Sequence, residues 1–376
     1  MKIKSFEFNM GELAGSMGDF GTLFPLAIGY IVVNKLNPAG FLVMMGAANI
    51  ATGLIYRLPM PIEPMKILAA TAIAQHWTPS MIYASAFGMG IVWLLITAVG
   101  AMKWLVKVTP MSVVRGVQVA LGIMLAIQAY PMITTWWMLG IVSVIIILFI
   151  RDNRYAPAAV VLMLLGIVIV FAKGQFNQIS PPGFSIPPLT SFSPGEVWQS
   201  LLLAGFAQIP LTIGNAIIAT AALIKSYWPE REDVTEHKLA LNQGVMNVIV
   251  PFFGGMPMCH GSGGLAGQYF FGARTGGTNI LEGMVEITLG LFFAGSIAAL
   301  FGAFPAAIIG AMMFLVGVEL TKFAKDVRLN KELIPMATTV VLALATNMAV
   351  GFFVGIAVYH LMYYLLRKRD AARATV

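Results

Sequence analysis

The sequence predicts an all-α membrane protein of fourteen transmembrane elements in two inverted repeats of seven. Its third and tenth elements are each broken into a short extended segment and a half-helix. Three observations carry this expectation. Hydrophobic residues make up 59% of the chain and charged residues 10%, with a mean hydropathy of +0.84; no water-soluble domain needs that much apolar surface. Met60-Pro61 and Met256-Pro257 interrupt apolar stretches at matching places in the two halves. Lys and Arg gather on alternate connecting loops, as helix orientation in a membrane demands.

The first element, Gly11–Val33, opens with Gly11-x-x-x-Gly15, a spacing that lets membrane helices approach closely. Pro38–Tyr56 follows as a continuous apolar run. The third, Met60–Ala74, starts on a step no regular helix holds, because proline lacks an amide donor and pushes the residue before it towards extended geometry. Helix resumes over the apolar run from Ile67 to Ala74. Ser80–Val99, Met111–Tyr130, Thr135–Ile150 and Pro157–Phe171 complete the first half, and a Pro-rich loop from Lys173 to Pro194 separates the halves. Val197–Ile224 and Lys238–Phe253 open the second half. The tenth element, Met256–Phe271, repeats the Met-Pro break and turns helical over Leu265 to Phe270. Asn279–Phe301, Pro305–Thr321, Leu333–Asn347 and Ala349–Leu366 end the series. Several are shorter than the ~20 residues of a full span; the two breaks and short packed helices account for that.

With the amino terminus inside, only Lys35 and Lys173 of the 23 Lys and Arg residues fall on external ends, while Lys66 and Arg115 lie within segments. Both termini are therefore expected in the cytoplasm, in a multi-pass protein of the cytoplasmic (inner) membrane. The net charge of +7 belongs to these loops and implies no nucleic-acid partner. Nothing at the amino terminus resembles a cleavable leader. Cys259 is the only cysteine, so no intrachain disulfide forms. No cluster of metal ligands or nucleophile-base pair stands out, so neither a cofactor, a resident metal nor an enzyme is expected.

A shift of 196 positions places Glu12 on Gln208, Ser16 on Thr212, Gly18 on Gly214, Asp19 on Asn215 and Met60-Pro61 on Met256-Pro257. A shift of 195 places Pro110 on Pro305 and Gly122 on Gly317. Seven elements is an odd number, so the second copy, 193–376, must run upside down relative to the first, 1–192.

Two facing half-helices suggest what the centre binds. Each start points unpaired N–H groups and roughly half a positive charge into a shared pocket, which suits an anion. From the second break come His260, Gly261, Ser262, Gly263 and Gly264, whose glycines let backbone approach an oxyanion. The competing expectation is that they only pack helices tightly. From the first come Pro64, Met65 and Lys66, the lysine either meeting the anion or pairing with Glu63 three residues earlier. Gln208 and Asn215 add polar groups from the eighth element. Asp19 and Glu63 are intramembrane carboxylates, candidates for ion coupling or for capping local backbone donors. Arg115, Glu286 and Glu319 are expected as interhelical or interfacial partners, and His76 and His360 as packing or helix-end residues.

Three stretches carry a family resemblance. Gly11 to Thr22 (GELAGSMGDFGT), Pro59 to Lys66 (PMPIEPMK) and Phe253 to Tyr269 (FGGMPMCHGSGGLAGQY) resemble the signatures of the molybdate transporter family, a branch of the sulfate permease superfamily. The resemblance spans nearly the whole chain. It implies the uracil-permease-like fold of seven plus seven inverted elements. It further implies a core domain of elements 1–4 and 8–11, a gate domain of elements 5–7 and 12–14, and substrate held between elements 3 and 10. Glu63 departs from the Gln that plant members tend to carry, which bears on the coupled ion. Many sulfate permeases continue into a soluble regulatory domain, whereas this sequence ends at Val376, an expectation for the molybdate branch.

Molybdate is a tetrahedral dianion that only accepts hydrogen bonds, so a site of N–H groups, Ser262 and Lys66 suits it. Importing a dianion against roughly −100 mV costs ~4.6 kcal/mol, which calls for co-transported cations, protons foremost. The expectation is proton-coupled import by alternating access in the lipid bilayer. A sulfate or tungstate permease, a nucleobase permease of the same fold and an anion channel are the alternatives, and a homodimer stays open.

Overall fold

The computed structural model describes residues 2–3, 5–18, 20–150, 158–175, 179–327 and 332–374. Helices dominate. In the first half they are α1 (Met10–Gly15), α2 (Phe20–Ile28) continuing through a π-helical turn at Gly29–Val33, α3 (Pro38–Tyr56), α4 (Lys66–Ala74), α5 (Pro79–Ala98), α6 (Met102–Val108), α7 (Met111–Thr134), α8 (Trp137–Ile150) and α9 (Ala158–Ala172). A continuous helical run then covers α10 (Pro194–Ser200), a π turn at Leu201–Gly205, α11 (Phe206–Leu211), a second π turn at Thr212–Ile218 and α12 (Ala219–Tyr227). The chain ends with α13 (Glu236–Ile249), α14 (Ser262–Phe270), α15 (Gly277–Gly302), α16 (Ala306–Lys322), α17 (Leu333–Ala345) and α18 (Met348–Ala374). Among the described residues, six helices are long and apolar enough to cross a membrane, including the Pro194–Tyr227 run, and four shorter apolar helices accompany them.

An all-α description needs amending in one respect. Four short strands are present: β1 (Lys2–Ile3), β2 (Phe6–Glu7), β3 (Ile62–Pro64) and β4 (Met258–His260). The first two form a small hairpin and the last two pair with each other. Period-based reading misses strands this short, and it also misses α6, whose seven residues fall between two longer apolar runs.

The Met-Pro steps explain β3 and β4. Each leaves its segment extended, with backbone groups that a helix would otherwise satisfy, and two asparagines take up that role. Asn279 of α15 receives the Met60 N–H at 2.8 Å and donates to the Met60 carbonyl at 2.7 Å. Asn247 of α13 does the same for Met258, at 2.8 Å and 2.6 Å. A buried backbone pair left open would cost ~1–3 kcal/mol per group, so each amide replaces a missing strand neighbour.

Helices meet through small residues. α3 lies along α15, and α7 along α16. A Cβ on Gly46 would come within 2.6 Å of the Gly283 carbonyl oxygen, and one on Gly317 within 2.8 Å of the Gly122 oxygen. Only glycine permits backbones this close, which is how membrane helices gain dispersion contact without a hydrophobic driving force. Another polar clasp joins α3 to α15: Asn49 donates to Glu286 at 2.9 Å and accepts from Asn279 at 3.0 Å. Glu286 is thus an interhelical partner, and Glu319 pairs with Lys322 at 2.6 Å.

Candidate anion-binding site

β3 and β4 cross at the centre of the protein. They run antiparallel, with Ile62 opposite His260, Glu63 opposite Cys259 and Pro64 opposite Met258. Met65 extends the ladder by donating its N–H to the Pro257 carbonyl at 2.9 Å. Each strand leads into a nine-residue helix, α4 or α14. Both helices begin on an extended residue that supplies no side-chain cap, Met65 at ψ 108° and Gly261 at ψ 121°. Their first amides must therefore find partners elsewhere, as the Ile67 N–H does in Gln208 Oε1 at 2.8 Å.

In front of both lies a cavity of about 310 Å³, near the lower end of the ~300–1,000 Å³ range usual for small-molecule sites. Lys66 lines it from α4 and Ser262 from α14, with Gly214 and Asn215 from the π turn and Arg115 and Gln118 from α7. Apolar side chains such as Val114, Leu211 and Leu320 complete the wall. Ser262 Oγ donates to Asn215 Oδ1 at 2.7 Å, which ties α14 to the π turn. π turns widen a helix locally and recur at functional sites; here the turn carries Asn215 to the cavity.

Lys66 Nζ stands 3.1 Å from Glu63 Oε2; the carboxylate is 2% exposed and the lysine 24%. Partial exposure leaves the ammonium at the cavity wall while its partner sits behind it. Glu63 also accounts for two of the glycines. A Cβ on Gly261 or Gly264 would collide with the Glu63 carboxylate, whereas one on Gly263 would meet nothing within 4 Å. Gly261 and Gly264 thus make a seat for Glu63, and Ser262 is the member of the run that lines the cavity.

Other residues expected at the site sit behind it. Pro64 and Met65 are buried in the β3 turn. Gln208 is 1% exposed; its Oε1 accepts the Ile67 N–H at 2.8 Å and its Nε2 donates to Thr212 at 2.8 Å. It therefore caps α4. His260 is fully buried, its ring edge-on to Tyr56 with centroids 5.7 Å apart. Asp19 lies outside the described residues. Glu12, the counterpart of Gln208, accepts the Arg274 and Thr275 N–H groups at 3.1 Å and 2.9 Å. Arg115, expected as an interhelical or interfacial partner, also lines the cavity, because α7 packs beside α4. Its signal in the sequence was its position inside an apolar segment, where a charge is a functional candidate by default. Gln118 gave no such signal.

Beyond the membrane segments, the loop after α12 is fastened to the end of α3. Arg231 donates to both Asp233 oxygens, at 2.7 Å and 3.0 Å, and to the Tyr56 carbonyl at 2.6 Å. The guanidinium pulls the Asp233 carboxyl down to about 2.

Residues 11–125 and 200–320 match the family described as "Molybdate transporter of MFS superfamily". Those two blocks hold both strands, both half-helices and every cavity residue named above. This chain belongs to the molybdate transporter family. Molybdate transporter 2 of Arabidopsis thaliana is 31% identical, over 97% of this chain and 89% of the relative. Among solved structures, the transmembrane domain of a cyanobacterial bicarbonate transporter, BicA, superposes with a TM-score of 0.68 at 19% identity, covering 93% of this chain and 96% of that one. The murine Solute Carrier 26 family member A9 anion transporter, in an inward-facing state, gives 0.69 at 13% identity, covering 97% and 70%. Membership of the family makes the protein a multi-pass membrane anion transporter, with no enzymatic role.

Proposed function

We propose that the protein imports a tetrahedral oxyanion, molybdate foremost, across the cytoplasmic membrane with its termini inside the cell. The observation that carries this reading is the meeting of Lys66 and Ser262, from the first turns of two half-helices, on one cavity. Both helix starts bring partial positive charge, and Asn215, whose Oδ1 takes the Ser262 hydroxyl, has amide N–H groups to donate to a fully deprotonated oxyanion. The names of the relatives support molybdate over other oxyanions. Sulfate and tungstate share its shape and charge and are the competitors to measure.

Glu63 and Asp19 are proposed as the ion-coupling groups. A carboxylate paired with Lys66 offsets the charge that would hold the anion. Protonating Glu63 releases Lys66 to the substrate, so proton and anion binding favour each other. Two or more protons per dianion would offset the ~4.6 kcal/mol of electrical work at about −100 mV.

The alternating-access reading groups α1–α5 with α10–α15 as the core and α7–α9 with α16–α18 as the gate. Fourteen membrane elements result when α1 and α2, and likewise α10 to α12, each count once, β3 and β4 join α4 and α14, and the short α6 is taken as a connection between α5 and α7. Two contacts support an inverted repeat. Glu63 pairs with Cys259, its counterpart at the 196 offset, and Gly122 touches Gly317, its counterpart at 195. Residues that touch their own counterparts lie on a two-fold axis.

Uptake of labelled molybdate into vesicles holding the purified protein tests the proposal, with and without an inward proton gradient. Accumulation that collapses with the gradient, and competition by tungstate or sulfate but not uracil, is the expected result. Accumulation indifferent to the gradient removes the coupling, and competition by uracil alone removes the oxyanion.

A further inference from the structure

We infer that the groove walled by α5, α6, α11 and α18 holds an anionic phospholipid, with an acyl chain in the groove and the headgroup on Lys103 and Lys107. The site is separate from the oxyanion cavity and meets it only at Pro210, which lines both.

The groove has a volume of about 530 Å³. Every described residue on its wall is apolar except Thr109, so burying an oxyanion there would strip its water without replacing it. Its sides come from helices long and apolar enough to cross a membrane: Leu95 from α5, Ile209 from the α10–α12 run, and Phe353 and Ile356 from α18. Leu95 and Phe353 are more than half exposed, so the groove opens outward between spans. An opening of that kind at membrane depth meets hydrocarbon chains.

α6 supplies the polar half of the site. It follows on the end of α5 through a turn at Gly100, whose φ of +65° suits glycine, so it lies where a span leaves the bilayer. Trp104, Leu105 and Val108 line the groove, whereas Lys103 and Lys107 are exposed. At about 100° of turn per residue, the two lysines fall about 40° apart, and Trp104, Val108 and Leu105 follow at about 100°, 140° and 200° from Lys103. The charged edge of the helix therefore borders the edge that lines the groove. Lysines on one side and a tryptophan on the next mark chain lying in the membrane interface. Among the described residues neither lysine is ion-paired. His360 of α18 donates from Nε2 to the Val108 carbonyl at 2.8 Å, which fastens the far wall of the groove to the helix that bears the lysines.

Charge complementarity selects the occupant. The apolar groove alone would take any acyl chain, whereas two ammonium groups at its edge favour a lipid whose phosphate is not offset by an amine of its own. A second copy of the chain, seated here by two-fold symmetry, would bring its own Lys103 and Lys107 to the same patch.

Trp104 reports occupancy, because a brominated acyl chain quenches the fluorescence of an indole it touches. The full-length protein is reconstituted in phosphatidylcholine vesicles carrying a minor fraction of brominated phosphatidylglycerol or, in parallel, brominated phosphatidylcholine. The Trp104 contribution is the difference between wild type and W104F. Phosphatidylglycerol should quench it with at least about fivefold higher apparent affinity than phosphatidylcholine. K103Q/K107Q, altered only at exposed side chains, should bring the two lipids within about twofold of each other. I356F fills the groove and should lose the phosphatidylglycerol preference with both lysines intact. Equal quenching by the two lipids in the wild type overturns the inference, as does a preference that survives K103Q/K107Q. A preference that survives I356F leaves charge attraction without a seated chain and overturns it too. Quenching by neither lipid means that protein, such as a second copy, covers the groove, which also overturns it. The lysine variant decides the question where I356F is not recovered folded. None of these measurements needs a transported substrate, so failure of this site and failure of the oxyanion reading are told apart.

Discussion

Glu63 faces Cys259 across the central strand pair, and its carboxylate fills the space that side chains at Gly261 and Gly264 would need. The first half of the chain thus inserts an acid into the helix start supplied by the second half. A negative group at the start of α14 is favoured by the helix dipole, so this acid and an incoming anion draw on the same positive end.

Replacing Gly264 with Ala should displace the Glu63 carboxylate, because the added Cβ collides with it. Overpacking of this kind costs ~1–3 kcal/mol. Thermal unfolding in detergent should fall, and molybdate uptake with it. A G263A control, whose Cβ meets nothing within 4 Å, should leave stability near wild type.

E63Q keeps the size of the side chain but removes both the charge and the titration. Lys66 then loses its 3.1 Å partner and turns to the anion. Downhill exchange of molybdate should persist, whereas uphill accumulation driven by a proton gradient should disappear. Loss of both together would point to a structural role for Glu63.

Ser262 donates to Asn215 at 2.7 Å where α14 meets the π turn. Removing one such bond costs ~1 kcal/mol, about a fivefold change in an equilibrium constant. S262A and N215A should each raise the KM for uptake by about that factor. The double variant should do less than the sum, since each single change already breaks the shared bond.

Q208L leaves the Ile67 N–H without its 2.8 Å acceptor. An unpaired buried amide costs ~1–3 kcal/mol, so the effect should appear in thermal stability and little in substrate competition among folded molecules. A large change in oxyanion selectivity with unaltered stability would move Gln208 from the cap of α4 to the substrate.

The Arg231–Asp233 pair carries a pH signature. Its folded-state carboxyl sits at about 2, below the ordinary value of ~3.9. The stabilisation is therefore complete above roughly pH 4 and is lost as pH falls towards 2. Asp233 is half exposed, so D233N should differ from wild type by less than about 1 kcal/mol at pH 7. Melting curves of the two proteins should converge at about pH 2 and below.

Much of this site is legible in residue types alone. Met60-Pro61 and Met256-Pro257 interrupt apolar runs where the extended β3 and β4 lie, although Pro25, Pro131 and Pro210 are held within helices. Lys66 and Glu63 stand three apart and pair. What stays hidden depends on contacts between distant parts of the chain. The seat that Gly261 and Gly264 make for Glu63 exists only because strands from opposite halves cross. Arg115 carries a visible charge, but spacing along α7 does not say which neighbour it will face. Asn247 and Asn279 look like ordinary polar residues near helix ends until each is seen bonding both backbone groups of a methionine.

Those two asparagines have a mechanical effect. Each grips one extended segment by its N–H and its carbonyl together, so neither strand can slip lengthwise without releasing two bonds at once. The strand pair is consequently fastened to α13 and α15 at four hydrogen bonds. Gly122 and Gly317 meet between α7 and α16, away from these grips, so there the two backbones hold each other by direct contact alone.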